Sequence, residues 1–169
     1  MKNFISEDFV IRRITIETCE QVMDVYDSNR DFFILTEGNP ATLSGCIANV
    51  TAMPPGLDPK NKFCLSFWKD EKCIAVLDYL VGYPNSDCLY IGLLLVHGEL
   101  RGLGIGHKIV VWLLEEYKNL ATVKVAVCIA NLNGVKFWQK CGFIQVGESK
   151  ANVGEQVMDV IIMEYYSHY

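Results

Sequence analysis

Arg101-Gly102-Leu103-Gly104-Ile105-Gly106-His107 follows the apolar run Cys88–Val96 and opens a helical pattern over Ile109–Tyr117. A strand that passes through alternating glycines into a helix presents a row of backbone N–H groups at the helix start. Glycine puts no Cβ in the way of a ligand, and the helix dipole favours negative charge, so a phosphate or pyrophosphate is the natural guest. The plainer reading is a helix start packed tightly on its strand. A Walker A loop is excluded, because no glycine precedes Lys and then Ser or Thr. A dinucleotide fingerprint G-x-G-x-x-G is excluded too: the sixth position is His107 counted from Gly102 and Ile109 counted from Gly104.

The remaining pattern is [RQ]-x-x-G-x-G, carried by Arg101, Gly104 and Gly106. With the preceding Val96-His97-Gly98-Glu99-Leu100 it resembles the acetyl-CoA-binding segment of the GNAT superfamily of acyl-CoA N-acyltransferases. A second block, Asn131-Leu-Asn-Gly-Val-Lys-Phe-Trp-Gln-Lys-Cys-Gly-Phe143, is similar to the family's Asn followed seven positions later by an aromatic residue and then x-x-x-Gly-Phe. The resemblance covers Tyr79 to Phe143; the N-terminal part matches in element order only.

Composition sets the frame. The 169 residues suffice for one domain (1–169) with a proper core, and 51% of them are apolar. The net charge of −5 argues against a nucleic-acid face, which needs a basic stripe. No apolar run is long enough for a membrane helix, and Met1–Val10 has no long apolar stretch of the secretory type. The seven cysteines form no C-x-x-C pair and sit mostly in apolar contexts. They read as small buried hydrophobes of a reduced, cytoplasmic protein without structural metal.

Along the chain, strands are expected at Phe9–Thr15, Lys62–Trp68, Ile74–Val81, Leu89–Val96, Val123–Ile129, Phe143–Val146 and Val157–Met163. Helices are expected from Thr18 through Tyr26, from Asn39-Pro40 through Val50, after the glycines, and from about Asn133 to Cys141. Met53–Pro59 is a proline-rich loop. The order β-α-α-β-β-β-α-β-α-β-β is mixed α/β with an antiparallel N-terminal half. The resemblance implies the GNAT fold: a twisted, mostly antiparallel sheet splayed between its fourth and fifth strands and flanked by helices.

Acyl transfer to an amine needs a neutral amine, although a free alkylammonium has a pKa of about 10. It also needs donors for the developing oxyanion and an outlet for the thiolate. The resemblance assigns the backbone of Leu94, Leu95 and Val96 to the pantetheine arm and the thioester carbonyl. It assigns Arg101, Gly102, Leu103, Gly104, Ile105, Gly106 and His107 to the pyrophosphate. Asn131, Asn133, Lys136, Phe137 and Trp138 complete the implied cofactor site. Asn131 equally suits the cap of the following helix.

Two departures from the family pattern stand out. Trp138 occupies the site where many members place an acidic Tyr, and an indole N–H does not protonate a thiolate; core packing is the alternative role for this ring. Tyr90 and Gly92 fall where a carboxylate base is common. Tyr79, Tyr83, Cys141, Tyr165 and Tyr166 are the substitutes for the acid, and Tyr90 and Asp78 on the preceding strand are the candidates for the base, although Asp78 reads first as a solvated strand-edge charge and His97 as a surface residue. The implied activity is acetyl transfer from acetyl-CoA to a primary amine of a small molecule or peptide by a monomer or homodimer. The alternative is a non-catalytic acyl-CoA-binding module. Asp27, Asp31 and Glu37 with Phe32 and Phe33 suggest a cleft for a cationic acceptor.

Overall fold

The computed structural model describes residues 9–153 and 155–167, so the expectation for Met1–Val10 lies almost wholly outside the described residues. Seven strands form one sheet in the order β1-β2-β3-β4-β5-β7-β6: β1 (Val10–Arg13), β2 (Lys62–Lys69), β3 (Lys72–Val81), β4 (Cys88–Val96), β5 (Thr122–Cys128), β6 (Ile144–Val153) and β7 (Gln156–Tyr166). Every neighbouring pair is antiparallel except β4–β5, which is parallel. The helices are α1 (Met23–Asp27), α2 (Arg30–Glu37), α3 (Leu43–Thr51), α4 (Ile105–Glu116) and α5 (Leu132–Lys140).

The alternation of β3 explains the layering, because successive side chains of a strand point to opposite faces. Leu77 and Tyr79 join the core formed with Ile109, Val110 and Leu113 of α4 and Trp138 of α5. Val76 joins the opposite core with Val25, Tyr26, Phe33 and Cys46 of α1–α3. Residues Cys73 through Leu80 are all buried, as a central strand covered on both faces must be. The expected mixed α/β sheet and its order are thus present.

Four elements differ from the sequence reading. The helix expected from Asn39-Pro40 starts only at Leu43, because Thr42 is its N-cap, Thr42 Oγ1 accepting the Gly45 N–H at 3.0 Å. The helix expected over Thr18–Tyr26 is a 3₁₀ stretch, Ile16–Val22, continued by the short α1; Thr18 Oγ1 accepts the Thr15 N–H at 2.8 Å, so the chain enters one turn earlier. A separate helix, α2, follows because Ser28-Asn29 turns the chain, Asn29 Nδ2 bonding back to the Val25 carbonyl at 2.8 Å. Gly38 ends α2 in the left-handed region (φ 77°). Finally, β6 runs on to Val153, paired with β7 down to Val153↔Gln156. Its polar sequence hides the strand, since an edge strand exposed on both faces need not alternate.

Strands β4 and β5 pair only over Cys88–Ile91 with Thr122–Val125. A bulge lies at this point on the other side of β4: Tyr79 pairs with Ile91 and Asp78 with Leu93, leaving Gly92 as the extra residue. Such an insertion bends a strand and increases its local twist. Beyond Ile91 the two strands part, and the backbone of Gly92–Val96 has no β5 partner.

All seven cysteines are free and buried. Burial pushes the thiols up, to about 12 for Cys46 and Cys64 and about 11 for Cys73 and Cys141. A thiol reagent at a pH of about 8 is therefore expected to label the native protein very slowly. Denaturation should expose seven thiols at once. Rapid labelling of one or more cysteines in the native protein contradicts this packing.

Candidate active site

Beyond the parting of β4 and β5 the chain makes a 3₁₀ turn, Gly98–Leu100, and enters the glycine segment. Gly102 (φ 78°) and Gly104 (φ 81°) both adopt the left-handed conformation, and no atom stands within 4 Å of where their Cβ atoms would lie. These two glycines make the turn and leave it open. Gly106 has another cause: a Cβ there would lie 3.0 Å from the Phe137 ring, so its absence lets α4 approach α5. The first intrahelical bond of α4 is Lys108 N–H to the Gly104 carbonyl, 3.0 Å. The N–H groups of Ile105, Gly106 and His107 therefore have no partner within the helix and point out of its N-terminus. Leu103 and His107 are exposed and Ile105 is half-buried.

On the other side of the cleft, Asn131 is the N-cap of α5, its Oδ1 accepting the Gly134 N–H at 3.0 Å. The capping role is thus present at this position. Asn133 and Lys136 are exposed, and Phe137 is half-buried at the α4–α5 contact. Trp138 is buried, with ring centroids 5.0 Å from both Phe137 and Phe143. Its indole packs the helix onto the sheet. Leu94 and Val96 pack toward the α4–α5 core, whereas Leu95 is buried in the opposite one.

Tyr79, Asp78 and Tyr90 are not brought together. Tyr79 lies on the α4 face, stacked on Phe63 at 5.0 Å with its hydroxyl 3.1 Å from that of Tyr117. Burial raises the pKa of Tyr79 far above that of a free phenol. Asp78 lies on the opposite face and is no solvated edge charge: it is 5% exposed, with Lys62 Nζ 2.9 Å from Oδ2. Burial raises the Asp78 pKa, and the adjacent Lys62 ammonium opposes that rise. A Cβ on Gly92 would be 3.4 Å from Asp78 Oδ1, so the pair sits directly under the β4 bulge. Tyr90 shares the Asp78 face by alternation, half-buried with its ring edge-on to Tyr83 at 5.7 Å. Burial raises its pKa as well, so the phenol holds its proton at neutral pH.

For other residues named from the sequence, the tertiary partners were invisible to sequence reasoning. His97 is 5% exposed rather than on the surface, with Nε2 3.2 Å from Asp24 Oδ2. Arg101 turns to the α1–α2 corner, donating to both Asp31 carboxylate oxygens (3.1 and 3.2 Å) and to Asn29 Oδ1 (2.7 Å). Asp31 is thus committed to Arg101, which lowers its pKa. Phe33 is core, stacked on Tyr26 at 5.5 Å. Of the expected acceptor cleft, Asp27 is exposed, Phe32 is half-buried, and Glu37 is half-buried with its pKa raised by burial.

The model of the acetyltransferase (GNAT) family matches residues 23–143. The chain belongs to the GNAT family. It is an acyltransferase by that membership, and no curated protein sequence matches it significantly. Among solved structures, an acetyltransferase from Thermus thermophilus is 16% identical with a TM-score of 0.75, covering 94% of this chain and 97% of that one. The ribosomal-protein-S18-alanine N-acetyltransferase from Escherichia coli is 14% identical with a TM-score of 0.67, covering 95% of each chain. The ribosomal-protein-S5-alanine acetyltransferase from Vibrio fischeri is 17% identical with a TM-score of 0.69, covering 97% and 96%. At these identities the likeness is one of fold. Among the described residues no helix is long and apolar enough to cross a membrane.

In this GNAT domain the ion pair under the bulge has a measurable consequence. Removing one partner leaves a buried charge without compensation, so Lys62→Met or Asp78→Leu alone is expected to cost about 3–5 kcal/mol. The double variant should recover most of that loss. Denaturant unfolding of the three proteins checks this, and additive losses would show that the two charges do not depend on each other.

Proposed function

We propose that this GNAT acyltransferase moves an acetyl group from acetyl-CoA directly to a primary amine of a small molecule or peptide within a ternary complex. The whole chain serves as one catalytic domain. The observation that carries the reading is the proximity of a strand edge that its neighbour has left and a helix start with outward N–H groups, Val96 lying beside Gly106. The first is the β5-facing edge of β4 over Gly92–Val96, which β5 leaves unpaired while β3 keeps the opposite edge and Asn29 takes the Val96 carbonyl; the second is the outward N–H row of Ile105–His107 behind the open turn at Gly102 and Gly104.

The residues fit an extended anionic cofactor. Amides of Gly102 through His107 would hold a pyrophosphate, and the backbone of Leu94 and Val96 would hold the amide-bearing pantetheine arm. Asn131, Lys136 and Phe137 stand on the α5 side of the same cleft, with Asn133 beside them. Acetyl-CoA supplies the acetyl group as an activated thioester. The chain's contribution is to fix the reacting groups in register, which by itself supplies much of the rate for a neutral amine.

The proton-bearing group we assign beside the acceptor is Tyr90, on the face opposite α4. Its hydroxyl keeps its proton at neutral pH and so acts as a donor. Asp78, held by Lys62, supports the bulge beneath it, and Tyr79 is held by Tyr117 on the other face. The acceptor amine then loses its proton to water. Seven buried, free thiols favour a reducing compartment, the cytoplasm.

The test is CoA release from acetyl-CoA with a panel of amines and peptide N-termini, alongside calorimetric binding of CoA. Turnover with at least one amine supports the reading; tight binding with no turnover on any amine sinks it. Gly104→Val places a branched side chain at a left-handed position, strained by roughly 1–2 kcal/mol, and fills the open turn. It is expected to stay folded and lose CoA binding. Tyr90→Phe is expected to lower kcat by about 10²-fold, and an unchanged kcat removes Tyr90 from the chemistry.

A further inference from the structure

The segment between β4 and α4 is not self-supporting. Contacts from Val96, His97, Gly98 and Arg101 tie it to one corner of the molecule, the turn between α1 and α2. The Val96 carbonyl accepts from Asn29 Nδ2 at 3.0 Å. His97 Nε2 lies 3.2 Å from Asp24 Oδ2, and the Gly98 N–H donates to Ser28 Oγ at 2.9 Å. Arg101 donates to Asp31, to Asn29 Oδ1, and to the Ser28 carbonyl at 3.2 Å. The approach is close enough that a Cβ on Gly98 would come within 2.5 Å of the Ser28 carbonyl oxygen.

Asn29 is the centre of this arrangement. It is 5% exposed, and its amide spends both ends: Nδ2 on the carbonyls of Val25 and Val96, Oδ1 on Arg101. One buried side chain therefore fixes both the last residue of β4 and the first residue of the glycine turn. The fork of Arg101 carries the tie on to Asp31 in the first turn of α2, with two parallel N–H···O bonds that define direction as well as distance.

From this geometry we infer that Asn29 and the Arg101–Asp31 pair are positioning residues of the acyl transfer. They hold the end of β4 and the glycine turn in the orientation that receives the cofactor, so that a carboxylate on α2 governs cofactor affinity. The inference rests on the cofactor reading of this segment. Asp31 acts through Arg101 on the turn, and its charge is spent there rather than on the acceptor amine.

Asp31→Asn removes one charge at a side chain that is 74% exposed, so no packing is lost and the fold is retained. It is expected to weaken calorimetric binding of CoA about fivefold. It should also speed amide exchange over Val96–Arg101 in the ligand-free protein and leave KM for the amine unchanged. Asn29→Ala, which abandons three partners (the Val25 and Val96 carbonyls and Arg101), is expected to weaken CoA about tenfold or more. Asn29→Asp keeps an oxygen for Arg101 but loses the donor to Val96, and should fall between the parent and Asn29→Ala. Arg101→Lys combined with Asp31→Asn should be no weaker than the worse single variant, because the two act as one unit.

If the parent binds CoA and Asp31→Asn and Asn29→Ala bind it equally well, the inference is overturned while the function stands. If the parent does not bind CoA, the function fails first, and amide exchange decides the clamp. Faster exchange in Asp31→Asn keeps it; unchanged exchange removes it. A raised KM for the amine alone in Asp31→Asn returns Asp31 to the acceptor site and overturns the inference.

Discussion

Hydrogen bonds run between β4 and β5 over four residues of each strand and then stop. That interruption governs the molecule. Buried backbone groups need partners, so two neighbouring strands that part must either expose their inner edges or give them to something else. Here the parting begins where the Gly92 bulge bends β4 away, and the bulge itself rests on the buried Lys62–Asp78 pair. A cleft opens inside a continuous sheet with no loss of the sheet on either side, because β3 still pairs with β4 and β7 with β5.

The two cores take unequal parts in this arrangement. The α4–α5 core packs Trp138, Phe137 and Phe143 tightly against β5, which fixes the helix start that faces the cleft. Trp138 is spent on that packing. The α1–α3 core supports the other wall, and its polar fringe (Asp24, Ser28, Asn29, Asp31) reaches across to the chain leaving β4. A glycine-rich turn is conformationally permissive by nature, and permissive segments need external ties to hold one shape. Those ties come from the α1–α2 corner, which joins the chain leaving β4 to the helices over the other face of the sheet.

Polar groups without solvent divide by the same logic. The Asp78 carboxylate is buried and paired, the Tyr79 hydroxyl is buried and shared with Tyr117, and Tyr90 remains half-buried on the face opposite α4. A group already satisfied inside the protein has little left to offer a substrate, whereas a half-buried phenol can still meet one.

The sequence by itself determined the α4 start, the order of the strands and most of their extents. Each depends on local chemistry: glycine at left-handed positions 102 and 104, apolar runs in β3 and β4, and an Asn cap at α5. Where local chemistry is silent, only the tertiary structure decided. The polar strand β6 exists because β7 pairs with it, and α2 exists because Asn29 bonds back to Val25. The burial of Asp78 and His97 is likewise set by what packs over them, and Arg101 meets Asp31 across a separation of 70 residues. Periodicity and turn residues report on neighbours within a few positions, and carry no record of partners that the fold brings from the far end of the chain.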